Sequence, residues 1–160
     1  MTGSNPSDAE DPSPMGTVAA EITLLICSSC RRPGDGPEVP RPGSRLADTL
    51  ATDALATDAG AADSGATDEG ATDAGVRVAV RRVACLGNCS RGLSAAMYRP
   101  GSWTYVFGGL DEAAGPDLLA AARLFAGSTD GFLPFRGRPE TLKRGLIARI
   151  PPIEMLEDLP

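Results

Sequence analysis

The sequence predicts an α/β domain built on a four-stranded mixed sheet, a parallel βαβ unit followed by an antiparallel hairpin, with helices flanking the sheet. Three observations predict it. Two short apolar segments, Ile22 to Ile26 and Val76 to Val83, have the character of strands, and each runs directly into a pair of cysteines. The chain between them has room for one crossover helix. After the second cysteine pair come a Pro-Gly hairpin and an amphipathic helical segment.

Ile22 to Ile26 is uninterrupted by charge, as a buried strand requires. The segment RRPGDGPEVPRPG that follows holds four prolines and three glycines, so a helix is not expected before Ser44, a suitable N-cap for a helix through Leu46 and Leu50. Val76, Val78 and Val80 alternate with Arg77, Ala79 and Arg81, the period of a second strand. Leu93 to Tyr98 and Trp103 to Phe107 flank a turn containing Pro100-Gly101, which predicts a hairpin. Pro116 to Ala126 carries Leu118, Leu119, Ala122 and Phe125 at helical intervals and stops at Gly127. Pro139-Glu140 can open a short helix that Gly145 ends, and Leu146 to Ile150 precedes Pro151-Pro152. This C-terminal segment is expected as an arm or an edge element, packed across the domain or against a second subunit, which makes a homodimer one expectation. The order strand, helix, strand, cysteine loop, hairpin, helix is that of a thioredoxin-like domain.

Two stretches lack the residues of a core. Residues 1–20 are rich in Ser, Pro and acid and are expected to be a disordered acidic tail. Residues 51–75 are five tandem pentapeptides, ATDAL-ATDAG-AADSG-ATDEG-ATDAG, whose period fits neither a helix nor a strand, so a solvated low-complexity loop is expected. Lengthening a loop costs only about 0.6 kcal/mol per doubling, so a domain over 21–153 tolerates this insertion. Residues 154–160 form a short C-terminal tail.

The tail and repeat hold nine of the 21 acids, so the formal charge of −6 conceals a mildly basic remainder, twelve acidic against fifteen basic residues. Such a face favours an acidic partner protein. The aromatic-interleaved basic stripe of nucleic-acid modules is missing, so nucleic acid is not an expected partner. No segment has the length of a membrane span and the N-terminus has no basic start followed by an apolar stretch, which predicts a cytoplasmic protein that does not engage membranes.

The four cysteines, Cys27-x2-Cys30 and Cys85-x3-Cys89, are the whole thiol supply, and the chain has no histidine. In a reducing compartment such pairs bind metal or do redox work more often than they form structural disulfides. Strands joined by a right-handed crossover are parallel, so their C-terminal ends lie at one edge of the sheet and four sulfurs can converge there. Four thiolates suit a 2Fe-2S cluster or a zinc or cobalt ion, while Cys27-Ser-Ser-Cys30 alone could be a redox dithiol. A cluster and its thiolates carry about two negative charges, so cations and peptide N–H groups matter nearby. Arg31, Arg32 and Arg91 are candidates for the charge, and Gly87, Asn88 and Ser90 for a tight loop of N–H donors. Trp103 and Tyr105, on one face of the hairpin, are assigned to packing. Without histidine, and with no phosphate loop, no catalytic constellation stands out, so a carrier or metal-binding protein is expected before an enzyme.

The segments ICSSCRRPGD, RPGSRL, ACLGNCSRG, PGSWTYVFGGL and RGLIARIPP, in this order, resemble an uncharacterised family of small bacterial predicted metal-binding proteins. The resemblance spans about residues 22–50 and 76–152. That family is in turn similar to thioredoxin-like 2Fe-2S ferredoxins, including the small cluster-carrying subunit of respiratory complex I, in which two cysteine pairs end two sheet strands. The resemblance implies electron transfer by a cluster held at Cys27, Cys30, Cys85 and Cys89. Those ferredoxins carry more residues between their first two cysteines than the two found here. The narrower spacing is that of the family itself, for which a link to cobalt or cobalamin metabolism is the alternative implication.

Overall fold

The computed structural model describes residues 20–60 and 76–156, with the side chains of 57–60 left out. The expectations for residues 1–19, 61–75 and 157–160 lie outside the described residues. Strand β1 spans Ala20–Cys27 and β2 Val76–Val83, joined through helix α1, Pro42–Gly60. Strands β3, Ala95–Tyr98, and β4, Thr104–Phe107, form the hairpin, followed by helices α2, Gly115–Ala126, and α3, Glu140–Arg144, and strand β5, Leu146–Ile150. The sheet order is β2-β1-β3-β4-β5, parallel between β1 and β2 and antiparallel elsewhere. Its first four strands and two long helices have the βαβ-ββα topology of a thioredoxin-like domain.

The sheet has five strands, not four. Leu146–Ile150 pairs along β4 and supplies partners for backbone groups that would otherwise form the open edge of the hairpin. The C-terminal segment is thus an edge element of its own sheet.

Alternation along the strands decides which face is buried. Ile22, Leu24 and Ile26 of β1, Ala95 and Met97 of β3, and Tyr105 and Phe107 of β4 are buried in a single cluster. Leu46, Leu50 and Ala54 of α1 and Leu118, Ala122 and Phe125 of α2 join the same cluster, so both helices cover this face. Trp103 and Tyr105 serve packing: Tyr105 meets Phe125 edge-on at 5.7 Å and its hydroxyl accepts the Leu133 N–H at 2.9 Å, while Trp103 stacks on Phe132 at 5.2 Å. The opposite face, with Thr23, Leu25, Tyr98, Thr104 and Val106, is partly exposed.

Helix α1 starts at Pro42, two residues before the expected Ser44 cap, because proline at the first helical position already has helical φ and forfeits no intrahelical bond. The loop expected from residue 51 is corrected for residues 51–60, which continue α1. Ala54 lies one helical turn beyond Leu50 and packs into the core, and the alanine-rich composition of the first two pentapeptides tolerates helix despite their period. Among the described residues no helix is long and apolar enough to cross a membrane.

Candidate metal centre

The parallel ladder runs from Ala20↔Val76 to Cys27↔Val83, so the cysteine loops leave the sheet side by side. Three bonds fasten the first loop to the end of β2. The Ser28 N–H donates to the Val83 carbonyl at 2.9 Å, the Ser28 hydroxyl to the same carbonyl at 3.1 Å, and the Ser29 hydroxyl to the Ala84 carbonyl. On the other side the Cys27 N–H donates to the Ser94 carbonyl at 3.0 Å. Cys27 and Cys30 are buried, 2% and 5% exposed, whereas Cys85 and Cys89 are exposed.

Close approaches of glycine shape this rim. A Cβ at Gly43 would collide with the Cys27 carbonyl oxygen and stand 3.1 Å from the Cys30 Cβ, so glycine at the start of α1 lets the helix seat directly on the first loop. In the second loop, Gly87 has φ +74°, a conformation costly for side-chain-bearing residues, and its N–H donates to the Cys85 sulfur at 3.2 Å. The Asn88 amide donates to the Arg91 carbonyl at 3.2 Å and the Ser94 hydroxyl at 3.0 Å, holding the 3-10 turn Cys89–Arg91 against the start of the hairpin.

All four thiols are free, and they stand as two pairs. The Cys85 and Cys89 sulfurs are 4.0 Å apart. Cys27 and Cys30 shift each other's ionisation in opposite directions. Burial opposes ionisation of Cys27, yet its thiol is lowered on balance by hydrogen bonds from the Cys30 and Ser29 side chains and from the Leu86 and Ser29 backbone. Cys30 is pushed up to about 11 by burial and by the neighbouring Cys27, against donors of Ser94. Cys89 is raised by its hydrogen bond and charge contact with Cys85, by burial, and by the charge of Cys27 across the rim.

Two thiolates on one tetrahedral metal, with metal–sulfur bonds of about 2.3 Å, sit about 3.8 Å apart. The outer pair has this spacing already. Among the described residues no three Cys, Asp or Glu side chains come together tightly enough for one ion, so the arrangement is two paired donors and not a four-sulfur knot. Paired soft donors fit a cluster that takes two thiolates on each of two irons.

Of the expected neighbours, Gly87 donates its N–H to the Cys85 sulfur. Asn88 braces the loop, and Ser90 and Arg91 are exposed on its turn. Arg31 instead holds the carbonyls of Gly36, Pro37 and Val39, and Arg32 pairs with Glu112 at 3.7 Å. The sequence reading did not identify Ser94, the Leu86 N–H, Ser29 or Gly43, which act through approaches between distant segments. A glycine next to the first helical proline was the only local signal among them.

Two solved structures of a thioredoxin-like 2Fe-2S ferredoxin from Aquifex aeolicus are similar to this chain at 14% identity. One covers 86% of this chain and 100% of its own with a TM-score of 0.47, the other 81% and 99% with a TM-score of 0.45. No curated protein matches the chain. Residues 24–152, which include the second half of β1, all of β2, both cysteine pairs and the hairpin, match the family described as "Protein of unknown function (DUF1636)", and the chain belongs to that family.

Proposed function

We propose that this chain is a one-electron carrier of thioredoxin-like ferredoxin type, with a 2Fe-2S cluster held by Cys27, Cys30, Cys85 and Cys89. The observation that carries the reading is the pairing of cysteines at the C-terminal ends of two adjacent parallel strands, the outer pair with its sulfurs 4.0 Å apart and the inner pair buried beside it. When bound, such a cluster supplies reversible uptake of a single electron. The chain's own part is to bring two pairs of thiols to the same end of the sheet, where they ionise as they bind the group. Gly87 donates its peptide N–H to the Cys85 sulfur at 3.2 Å. Burial of Cys27 and Cys30 shields half of the site from water and oxidants. With no histidine to move protons, the reading is of a carrier and not a catalyst.

A dithiol oxidoreductase is the second reading, favoured by one observation: Cys27 is lowered while Cys30 is raised, as in a nucleophile and its resolving partner. Against it, a nucleophilic thiol must meet its substrate, and Cys27 is 2% exposed. It also leaves Cys85 and Cys89 without a role.

Anaerobic expression followed by iron, sulfide and zinc analysis tests the proposal. About two irons and two sulfides per chain with a red-brown colour are expected, as a 2Fe-2S centre demands. Colourless protein with one zinc, or coloured protein with cobalt and no sulfide, would assign the same thiolates to a single ion and sink the ferredoxin reading. Cys85→Ser is expected to remove iron and colour together; a Cys85→Ser protein that loses neither contradicts the ligand assignment.

A further inference from the structure

The two halves of the thiolate site differ in one respect that bears on traffic through it. Cys27 and Cys30 lie under the rim, packed against the first turn of α1 and against Ser94, whereas Cys85 and Cys89 open to solvent. Electron exchange weakens steeply with distance, so the exposed pair marks the side at which a partner comes closest.

The charge near the two cysteine loops is predominantly positive, with the exposed Glu38 and the half-buried Asp35 as the acids there that, among the described residues, no side chain pairs. Glu112 is engaged by Arg45 at 2.8 Å and by Arg32, Asp48 by Arg82, and the Asp35 carboxylate accepts the Arg32 N–H at 3.0 Å. Arg31 and Arg41 are held by backbone carbonyls, Arg41 donating to that of Ser29 at 3.0 Å, which fixes their position without neutralising them. Arg81 and Arg91 are exposed on either side of the second cysteine loop. Among the described residues none of these four arginines has a carboxylate partner.

We infer that electrons pass through the Cys85 and Cys89 side, and that Arg31, Arg41, Arg81 and Arg91 around it form the landing surface for an acidic one-electron carrier protein. This rests on the ferredoxin reading. In the exchange one electron leaves the reduced chain and the acceptor gains it, with no bond made and no proton moved. Uncompensated charges ringing a reactive point raise the local concentration of an oppositely charged partner and orient its approach, an effect of about 10-fold to 1,000-fold on association that salt suppresses.

Two measurements test the inference, one independent of the cluster. Metal-free, reduced protein is treated with anionic sulfonatoethyl and cationic trimethylammonioethyl methanethiosulfonate, and the modified cysteines are located by mass spectrometry. Cys85 and Cys89 are expected to react before Cys27 and Cys30. The ratio of anionic to cationic rates is expected to fall about tenfold in Arg81→Glu/Arg91→Glu at low salt. Arg77→Glu, about 26 Å along the strand from Cys85, is the control and leaves the ratio unchanged. The second measurement follows oxidation of the loaded, reduced protein by hexacyanoferrate(III), a trianion, and hexaamminecobalt(III), a trication. Oxidation by the anion is expected to slow with added salt and to drop about tenfold in the double variant, while oxidation by the cation does not. First modification at Cys27 or Cys30, or equal effects of Arg77→Glu and the double variant, would overturn the inference. Failure to find iron and sulfide would remove the ferredoxin reading and the electron route with it, while the thiol measurement reports separately whether this face is open and basic.

Discussion

Gly43→Ala probes the seating of α1 on the first cysteine loop, the contact that buries half of the proposed centre. The added methyl would collide with the Cys27 carbonyl oxygen and come within 3.1 Å of the Cys30 Cβ and 3.3 Å of the Cys27 carbonyl carbon. None of these neighbours can swing aside. The Cys27 N–H is bonded to Ser94, the Cys30 carbonyl accepts the Gly43 N–H at 3.4 Å, and the next residue, Ser28, is tied to Val83. Forcing one methyl into a packed site costs about 1–3 kcal/mol. Replacing glycine by alanine in a helix returns up to about 1 kcal/mol, and less at the second helical residue, where the chain is barely inside the helix. The balance predicts a net loss of about 1–2 kcal/mol. The assay is urea unfolding of the metal-free reduced protein, with Gly36→Ala beside it, since nothing lies within 4 Å of a Cβ at Gly36. A lower midpoint for Gly43→Ala at unchanged slope is expected, with Gly36→Ala within about 0.5 kcal/mol of the parent. Gly43→Ala as stable as the parent, with full iron content after loading, would refute the reasoning that this close approach shapes the rim.

Further expectations follow from the core and the turns. Tyr105→Phe removes the acceptor of the buried Leu133 N–H and is expected to lower stability by about 1–3 kcal/mol, the cost of a stranded buried donor, read by denaturant unfolding. Leu50→Ala, at a fully buried position of α1 facing the sheet, is expected to cost about 2–5 kcal/mol in the same assay, and a loss below 1 kcal/mol would contradict the packing of α1. The Asp130 carboxylate is held below its ordinary range chiefly by the Phe132 N–H at 3.0 Å, with the Ser128 hydroxyl at 3.2 Å adding to it and burial opposing both. Because the folded-state value is depressed, its contribution is present above the ordinary carboxylate range and disappears as pH falls through the folded value. The stability gap between parent and Asp130→Ala is therefore expected to close on acidification, and a gap constant down to pH 2 would contradict it.

Much of this architecture is readable in the residues because the periodic signals are local. Strand β2 matches its expected span because valine alternates with arginine and alanine. Helix α2 starts within one residue of expectation because Pro116 and Gly127 bracket an apolar stripe. The adjacency of the cysteine loops follows from the crossover rule alone. What escaped was set by tertiary contact. A pentapeptide period argues against helix, yet Ala54 has a core to enter, so the first ten repeat residues follow Leu50 into α1. Leu146 to Ile150 reads equally as an arm or an edge element until β4 offers it an edge. Arg31 and Arg32 sit next to Cys30 in sequence, but a long side chain turns towards its best acceptors, here the loop carbonyls and Glu112. Ser94 reaches Cys30 only because β3 runs antiparallel to β1, a placement that no residue near Ser94 announces.

The central claim is that two sulfur pairs grip two irons between them. X-ray absorption at the iron edge of anaerobically loaded protein measures this most directly. The account predicts four sulfur neighbours and one iron neighbour around each iron, with the iron neighbour lost in Cys85→Ser. Iron with oxygen or nitrogen neighbours, or iron with four sulfurs and no second iron nearby, would contradict it.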